Sequence, residues 1–232
     1  MKFKLRNELN PRCYNNKLGI VDDFELEKVE QRLVGSRKQE LLDGSHIIDM
    51  TYDVSMLQDI HSYLFSDLYD WAGYIRSESD EVMSYKSVFF TRPSSVREEL
   101  EKVFDDIKRD DFLNGVDLDE MAYKSSEYFS RFNKIHPFFE GNGRVQKLVI
   151  SDILFQNDCI LDMSKIDVNK IYEANMAGLR GDYKPLADLY CGCIKDVNAV
   201  RSNYNRLCDE MKKSGNSPVD CLGERSGESF DR

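Results

Sequence analysis

Residues 136–147 read His-Pro-Phe-Phe-Glu-Gly-Asn-Gly-Arg-Val-Gln-Lys, a run of groups that are seldom neighbours. Gly141-Asn142-Gly143 lies where an apolar helical pattern begins, and glycine allows backbone angles and close ligand approaches that a Cβ forbids. The N–H groups of a first helical turn have no intrahelical acceptor, so a helix opening here makes an anion site. Arg144 and Lys147, three apart on that turn, can reach the same anion. Cations are unfavourable at a helix N-terminus, which argues that these two are kept there for a bound anion. Glu140 adjoins the same site, where it would repel a phosphate. A Mg²⁺ between them resolves the conflict, because that ion is usually held by one or two carboxylates plus substrate phosphates. His136 stands at the end of the preceding helix, and its ordinary pKa suits a general base near neutral pH. Base, metal carboxylate and anion cradle in one stretch describe phosphoryl or nucleotidyl transfer. Taken singly, each has a plainer reading: a capping His, a turn, a solvated Arg. Their succession favours the chemical one.

Mostly helical elements must position these groups. Leu26, Val29 and Leu33 follow Asp22-Asp23, a suitable helix start. Val54, Leu57, Ile60, Leu64 and Leu68 mark a second helix, ending near Asp70-Trp71-Ala72-Gly73. Tyr74-Ile75-Arg76 and Ser87-Val88-Phe89-Phe90-Thr91 are β-prone, giving a hairpin or flap over about 74–92 that Arg92-Pro93 stops. Ser95 and Glu98 read as a capping box for a third helix with a stripe of Val96, Leu100, Val103, Phe104 and Ile107. A fourth helix follows the Asn114-Gly115 turn and must end at Ile135-His136, because Pro137 disfavours helical geometry before it. The fifth carries Val145, Leu148, Val149 and Ile153, the sixth spans about 167–177, and the seventh carries Leu186, Leu189, Cys193 and Val197. The expected class is all-α, about seven or eight helices with one small β-hairpin. His61 and Trp71 read as structural residues, and the polar stretch from about Lys212 as a mobile tail.

Composition sets the outer limits. A chain of 232 residues suits one domain with appendages, and a net charge of -10 argues against a broad basic surface for nucleic acid or an anionic membrane. No stretch reaches the ~20 apolar residues of a membrane span, and the N-terminus lacks an apolar signal core, so a cytoplasmic protein is expected. The 6 cysteines form no CxxC pair, and with only 3 histidines they read as reduced thiols packed as small hydrophobes.

At HPFFEGNGRVQK the chain resembles the Fic family of AMP-transferring enzymes, whose motif is H-x-F-x-[DE]-G-N-G-R-x-x-R. Every fixed position matches until the last, which is Lys147. Tyr14-Asn15-Asn16-Lys17-Leu18-Gly19-Ile20 with Glu25-Leu26-Glu27-Lys28-Val29-Glu30 is similar to the entry segment of Fic toxins, and Leu64 to Gly73 to the stretch before the family's flap. The resemblance implies an extension over 1–13, a Fic domain over 14–200 with flap about 74–92 and active-site loop 136–144, and a helix end with tail over 201–232. It implies an adenylyltransferase in which His136 deprotonates a Tyr, Thr or Ser hydroxyl of a target protein, which attacks the α-phosphate of ATP. Glu140 holds Mg²⁺, Gly141, Asn142 and Gly143 form the anion hole, Arg144 meets the β-phosphate region, and Lys147 stands where an Arg grips the γ-phosphate. Phe138 belongs to the same ATP-binding loop and anchors it in the core. Lys86 and Phe90 are implied as the flap's target clamp, beside a target strand added by β-augmentation. Gly143 favours AMP transfer over the phosphate transfer of Doc-type kinases. Lys147 keeps the charge but loses the planar fork, so an attenuated site or a binding module stays open, as does a different nucleotide or a phosphocholine donor. The inhibitory pattern [ST]-x-x-x-E-[GN] is not met: the Glu residues four after Ser77, Ser94 and Ser95 are followed by Val82, Glu99 and Leu100. A separate small antitoxin supplying the inhibitory Glu is therefore expected.

Overall fold

The computed structural model describes residues 16–80, 83–85, 88–164 and 166–198. Among them lie the helices α1 (Asp23–Leu42), α2 (Val54–Phe65), α3 (Val96–Arg109), α4 (Leu118–Ile135), α5 (Asn142–Gln156), α6 (Val168–Gly178) and α7 (Lys184–Cys191). Two antiparallel strand pairs accompany them: β1 (Ser84–Tyr85) with β2 (Val88–Phe89), and β3 (Cys159–Leu161) with β4 (Ile194–Asp196). The helical class with a small hairpin is therefore observed, and the β3–β4 pair is an addition to it. The 1–13 extension, Tyr14, Asn15, Lys86, Cys208, Cys221 and the tail lie outside the described residues. The contacts divide the chain into two compact units, Met1–Asp111 with Tyr128–Val149 and Phe112–Glu127 with Ile150–Arg232.

The first unit contains α1 to α3, the first hairpin, the end of α4 and the start of α5. In α2, Val54, Met56, Leu57, Ile60, His61, Leu64 and Phe65 are all buried. Asp53 caps its start by accepting the Met56 N–H at 2.9 Å. The stripe of α3 is buried as its periodicity requires, and Phe104 meets Phe132 of α4 with ring centroids 5.4 Å apart. Asn16 ties the entry segment down: its Nδ2 donates to the Ile20 carbonyl, its Oδ1 accepts the Ile20 N–H, and the Lys17 N–H reaches the Leu68 carbonyl at 2.7 Å.

Four local expectations need correction here. In α1 the buried line is Leu26, Glu30 and Val34, at four-residue steps, whereas Val29 and Leu33 are half-buried. The capping box at Ser95 does not form. A 3₁₀ turn over Pro93–Ser95 feeds directly into α3, so Ser95 has ψ -3° instead of an extended backbone and its hydroxyl caps nothing. Helix α2 stops at Phe65, short of Asp70. Among the described residues the hairpin strands are Ser84–Tyr85 and Val88–Phe89, with one further bond from the Phe90 N–H to the Met83 carbonyl at 3.0 Å. Among the described residues Tyr74-Ile75-Arg76 pairs with no strand, and the Arg76 N–H instead donates to the Pro137 carbonyl at 2.9 Å.

The second unit holds α6 and α7 around Ala174, Met176, Leu186, Ala187 and Tyr190. Helix α7 stops at Cys191 with Gly192 as its cap, so Cys193 and Val197 do not belong to its stripe. The chain leaves as β4 and pairs with β3, where Lys195 forms an ion pair with Asp162. Cys159, Cys191 and Cys193 carry free thiols. No helix among the described residues is long and apolar enough to cross a membrane. The two capping sites differ in a way that urea unfolding can read. Asp53→Ala should cost about 1 kcal/mol, and Ser95→Ala should stay within about 0.5 kcal/mol of the unaltered protein.

Candidate active site

Helix α2 is the floor of the loop at 136–144. His61 and Phe65 are four apart and so share a face. The His61 ring is fully buried, stacked 3.9 Å from Phe138 and 4.7 Å from Phe65. Its Nδ1 accepts the Gly73 N–H at 2.8 Å, so the proton sits on Nε2, which donates to the Glu140 carbonyl at 3.1 Å. Burial pushes the pKa of this imidazole down to about 3, keeping it neutral. One side chain thus joins the Gly73 turn to the backbone of the proposed metal carboxylate. Gly73 itself turns at φ +80°, where a Cβ would press on α2.

The loop is shaped from within by Phe138 and Asn142. Phe138 is fully buried, and Asn142, the first residue of α5, is 4% exposed. The Asn142 Oδ1 accepts the Phe138 N–H at 2.9 Å and its Nδ2 donates to the Phe138 carbonyl at 2.8 Å. Both side chains are therefore spent on loop geometry. Gly141 has φ +78°, and a Cβ there would lie 2.4 Å from the Phe65 ring. Gly143 is the opposite case, exposed, with nothing within 4 Å of where a Cβ would stand. Lys147, one turn further, is exposed on the same side.

Arg144 is turned inward instead. Its Nη2 lies 2.6 Å from Glu30 Oε1 and 3.6 Å from Glu140 Oε1, and its guanidinium carbon is 4.6 Å from the Phe65 ring centroid. Glu140 is half-buried, and its Oε1 also accepts the Gly141 N–H at 3.1 Å. Arg144 and Glu140 thus meet in the structure, and Arg144 and Lys147 are separated by burial.

His136 occupies a left-handed backbone position, φ +50°, at the end of α4. Its ring stacks on Phe90 at 3.9 Å and 10°. Burial, followed by the Arg76 charge, pushes its pKa down to about 4, so it is an unprotonated base at neutral pH. The Asn133 carbonyl opposes that shift but makes no normal hydrogen bond with the buried Nδ1. Phe90, expected in a target clamp, is 8% exposed and serves as a wall for His136, whereas Phe89 is 65% exposed.

Arg76 escaped the sequence reading. It is 1% exposed, and its Nε donates to the His136 carbonyl at 2.7 Å while Nη2 donates to the carbonyls of Ile135 (2.9 Å) and Thr91 (3.2 Å). A cation among the last carbonyls of α4 is favoured by the helix dipole. His61 and Glu30 were also missed as site residues. A Glu in phase with Leu26 and Val34 was the available signal for the second, since charged residues are almost never fully buried unless paired.

Residues 51–154 match the Fic/DOC family. Over 188 residues the chain is 30% identical to the probable protein adenylyltransferase y4lH of Sinorhizobium fredii, covering 77% of this chain and 92% of that protein. It is 28% identical to the protein adenylyltransferase VbhT of Bartonella schoenbuchensis, covering 84% of this chain but only 38% of that protein. The fold is similar to the N-terminal Fic domain of a Bep effector from Bartonella quintana, with TM-score 0.69 at 20% identity over 82% of this chain and 91% of the other. It is likewise similar to BepC of Bartonella tribocorum, solved with AMPPNP, with TM-score 0.69 at 22% identity over 78% and 92%. The chain belongs to the Fic/DOC family. AMP transfer to protein is the family-level activity.

Two outcomes test the site's construction. Gly141→Ala must both strain φ and displace Phe65, so it should destabilise by about 2 kcal/mol or more in urea unfolding, against less than about 1 kcal/mol for Gly143→Ala. The second concerns pH. His61 and His136 have folded-state pKa values of about 3 and about 4, below the ordinary 6.5. The unfolded chain therefore takes up protons first as pH falls. Stability should be complete above pH 6.5 and decline below it, by on the order of 2–4 kcal/mol between pH 7 and pH 5.

Proposed function

We propose that this chain is a protein adenylyltransferase that transfers AMP from ATP to a hydroxyl of a target protein. The observation that carries the reading is the loop itself. A neutral His136 leads directly into an anion cradle at the start of α5, and the buried Phe138 and Asn142 hold the two in one rigid connection. His136 takes the proton of the target hydroxyl as that oxygen attacks the α-phosphorus, and pyrophosphate leaves. The N–H groups of Asn142 and Gly143 receive the phosphate charge at a helix N-terminus, and the open space at Gly143 leaves room for it.

The donor set fits a Mg²⁺ that arrives with its nucleotide. One half-exposed carboxylate, Glu140, faces a phosphate site, and among the described residues no group of three or more potential ligands stands ready to hold an ion alone. A bound Mg²⁺ would neutralise phosphate charge there, and Glu140 would be its protein ligand.

The finer reading is of a bacterial toxin held in check by a separate small antitoxin. The lack of an inhibitory motif in this sequence supports this reading. The target would lie along the flap, with the exposed Phe89 rather than Phe90 available to it. Incubation with ATP labelled at the α-phosphate and a bacterial lysate should label protein, while ATP labelled at the γ-phosphate should not. His136→Ala should lower labelling on the order of 10²–10⁴-fold. Equal labelling by that variant, or transfer of the γ-phosphate, defeats the proposal.

A further inference from the structure

Glu30 is a charged residue at the centre of a buried helical stripe. It is 4% exposed, with Leu26 and Val34 one turn either side of it. Burying a carboxylate costs several kcal/mol unless it is paired and hydrogen-bonded, and an apolar side chain would fill the same position without that cost. Its partners explain its presence. One oxygen accepts the hydroxyl of Tyr69, itself buried, and the other takes Arg144 Nη2 at 2.6 Å. Burial and the Glu30 charge raise the Tyr69 pKa, so the phenol stays a donor. Arg144 is not a scaffold residue. It is the first cation of the proposed anion cradle, in the first turn of α5.

We infer that Glu30, held by Tyr69, is the positioning residue that fixes the Arg144 guanidinium for the nucleotide's phosphates. This role rests on the adenylyltransferase reading above. A free Arg side chain loses about 2 kcal/mol of rotamer entropy when an anion immobilises it. Here that ordering is completed before the ligand arrives. Glu30 takes one edge of the guanidinium, Phe65 lies under its face, and both carboxylate contacts run through Nη2. Nη1 and Nε–H remain as donors for phosphate oxygens. The same Phe65 ring sets the position of Gly141, so cation and loop are referenced to one surface.

Titration calorimetry with ATP, alone and with Mg²⁺, tests this on the full chain. Glu30→Ala should weaken ATP binding about tenfold. Glu30→Gln, which keeps an acceptor oxygen, should stay within about threefold of the unaltered protein, a rescue that charge alone would not give. In an Arg144→Ala background, Glu30→Ala should have no further effect on affinity. Should Glu30→Ala not fold, Tyr69→Phe reads the same connection, with a weakening of about threefold that disappears without Arg144. The inference is overturned if Glu30→Ala binds ATP as the unaltered protein does, if it weakens binding equally with and without Arg144, or if it tightens binding, which would make Glu30 a competitor of the phosphate. An unaltered protein that neither binds ATP nor transfers AMP overturns the functional reading and this role together.

Discussion

The active-site loop depends on one uncharged imidazole. His61 has no solvent and two obligatory partners, an N–H from the Gly73 turn and a carbonyl from Glu140. That pair can be satisfied by only one tautomer of neutral histidine. A protonated ring would aim a donor at the Gly73 donor, and an apolar ring of the same size would leave a buried N–H and a buried C=O without partners. Stacking on Phe65 and Phe138 makes the constraint two-dimensional as well as directional. The Glu140 carboxylate is therefore located by its own main chain, and that main chain is located by α2.

From this joint the remaining geometry follows. Phe138 is placed by the His61 ring, Asn142 is placed by Phe138, and Asn142 begins α5. Helix α5 then projects Gly143 and Lys147, four apart, outward together, while the Arg144 side chain turns inward to Glu30. Local charges are balanced separately from the acidic whole. A net charge of -10 excludes a broad basic field but says nothing about a cradle of main-chain dipoles and two cations.

The helices and the loop were legible because their signals are local. The stripe of α3, the stop at Pro137 and the Gly-Asn-Gly helix start each follow from spacing within one element. What escaped depends on residues far apart in sequence. Glu30 meets Arg144 across 114 positions and Arg76 meets His136 across 60, and no periodicity within either element carries that information. Charged residues in such places read as solvated by default. The end of α7 failed for a related reason: Cys193 and Val197 continue a helical period, but Ile194-Lys195-Asp196 finds a strand partner in Cys159–Leu161. Ser95 shows the converse, a capping sequence defeated by the turn that Pro93 imposes just before it.

Arg76 joins the base to the flap through main chain alone. Its guanidinium binds the carbonyls of Ile135, His136 and Thr91, and its own N–H binds the Pro137 carbonyl. None of these acceptors depends on side-chain identity. The sequence between Arg76 and Thr91 is thus free to vary while both stay in register with His136. A chimaera that imports another flap should therefore be cut between Arg76 and Thr91, so that both are retained and the imported surface inherits this anchorage.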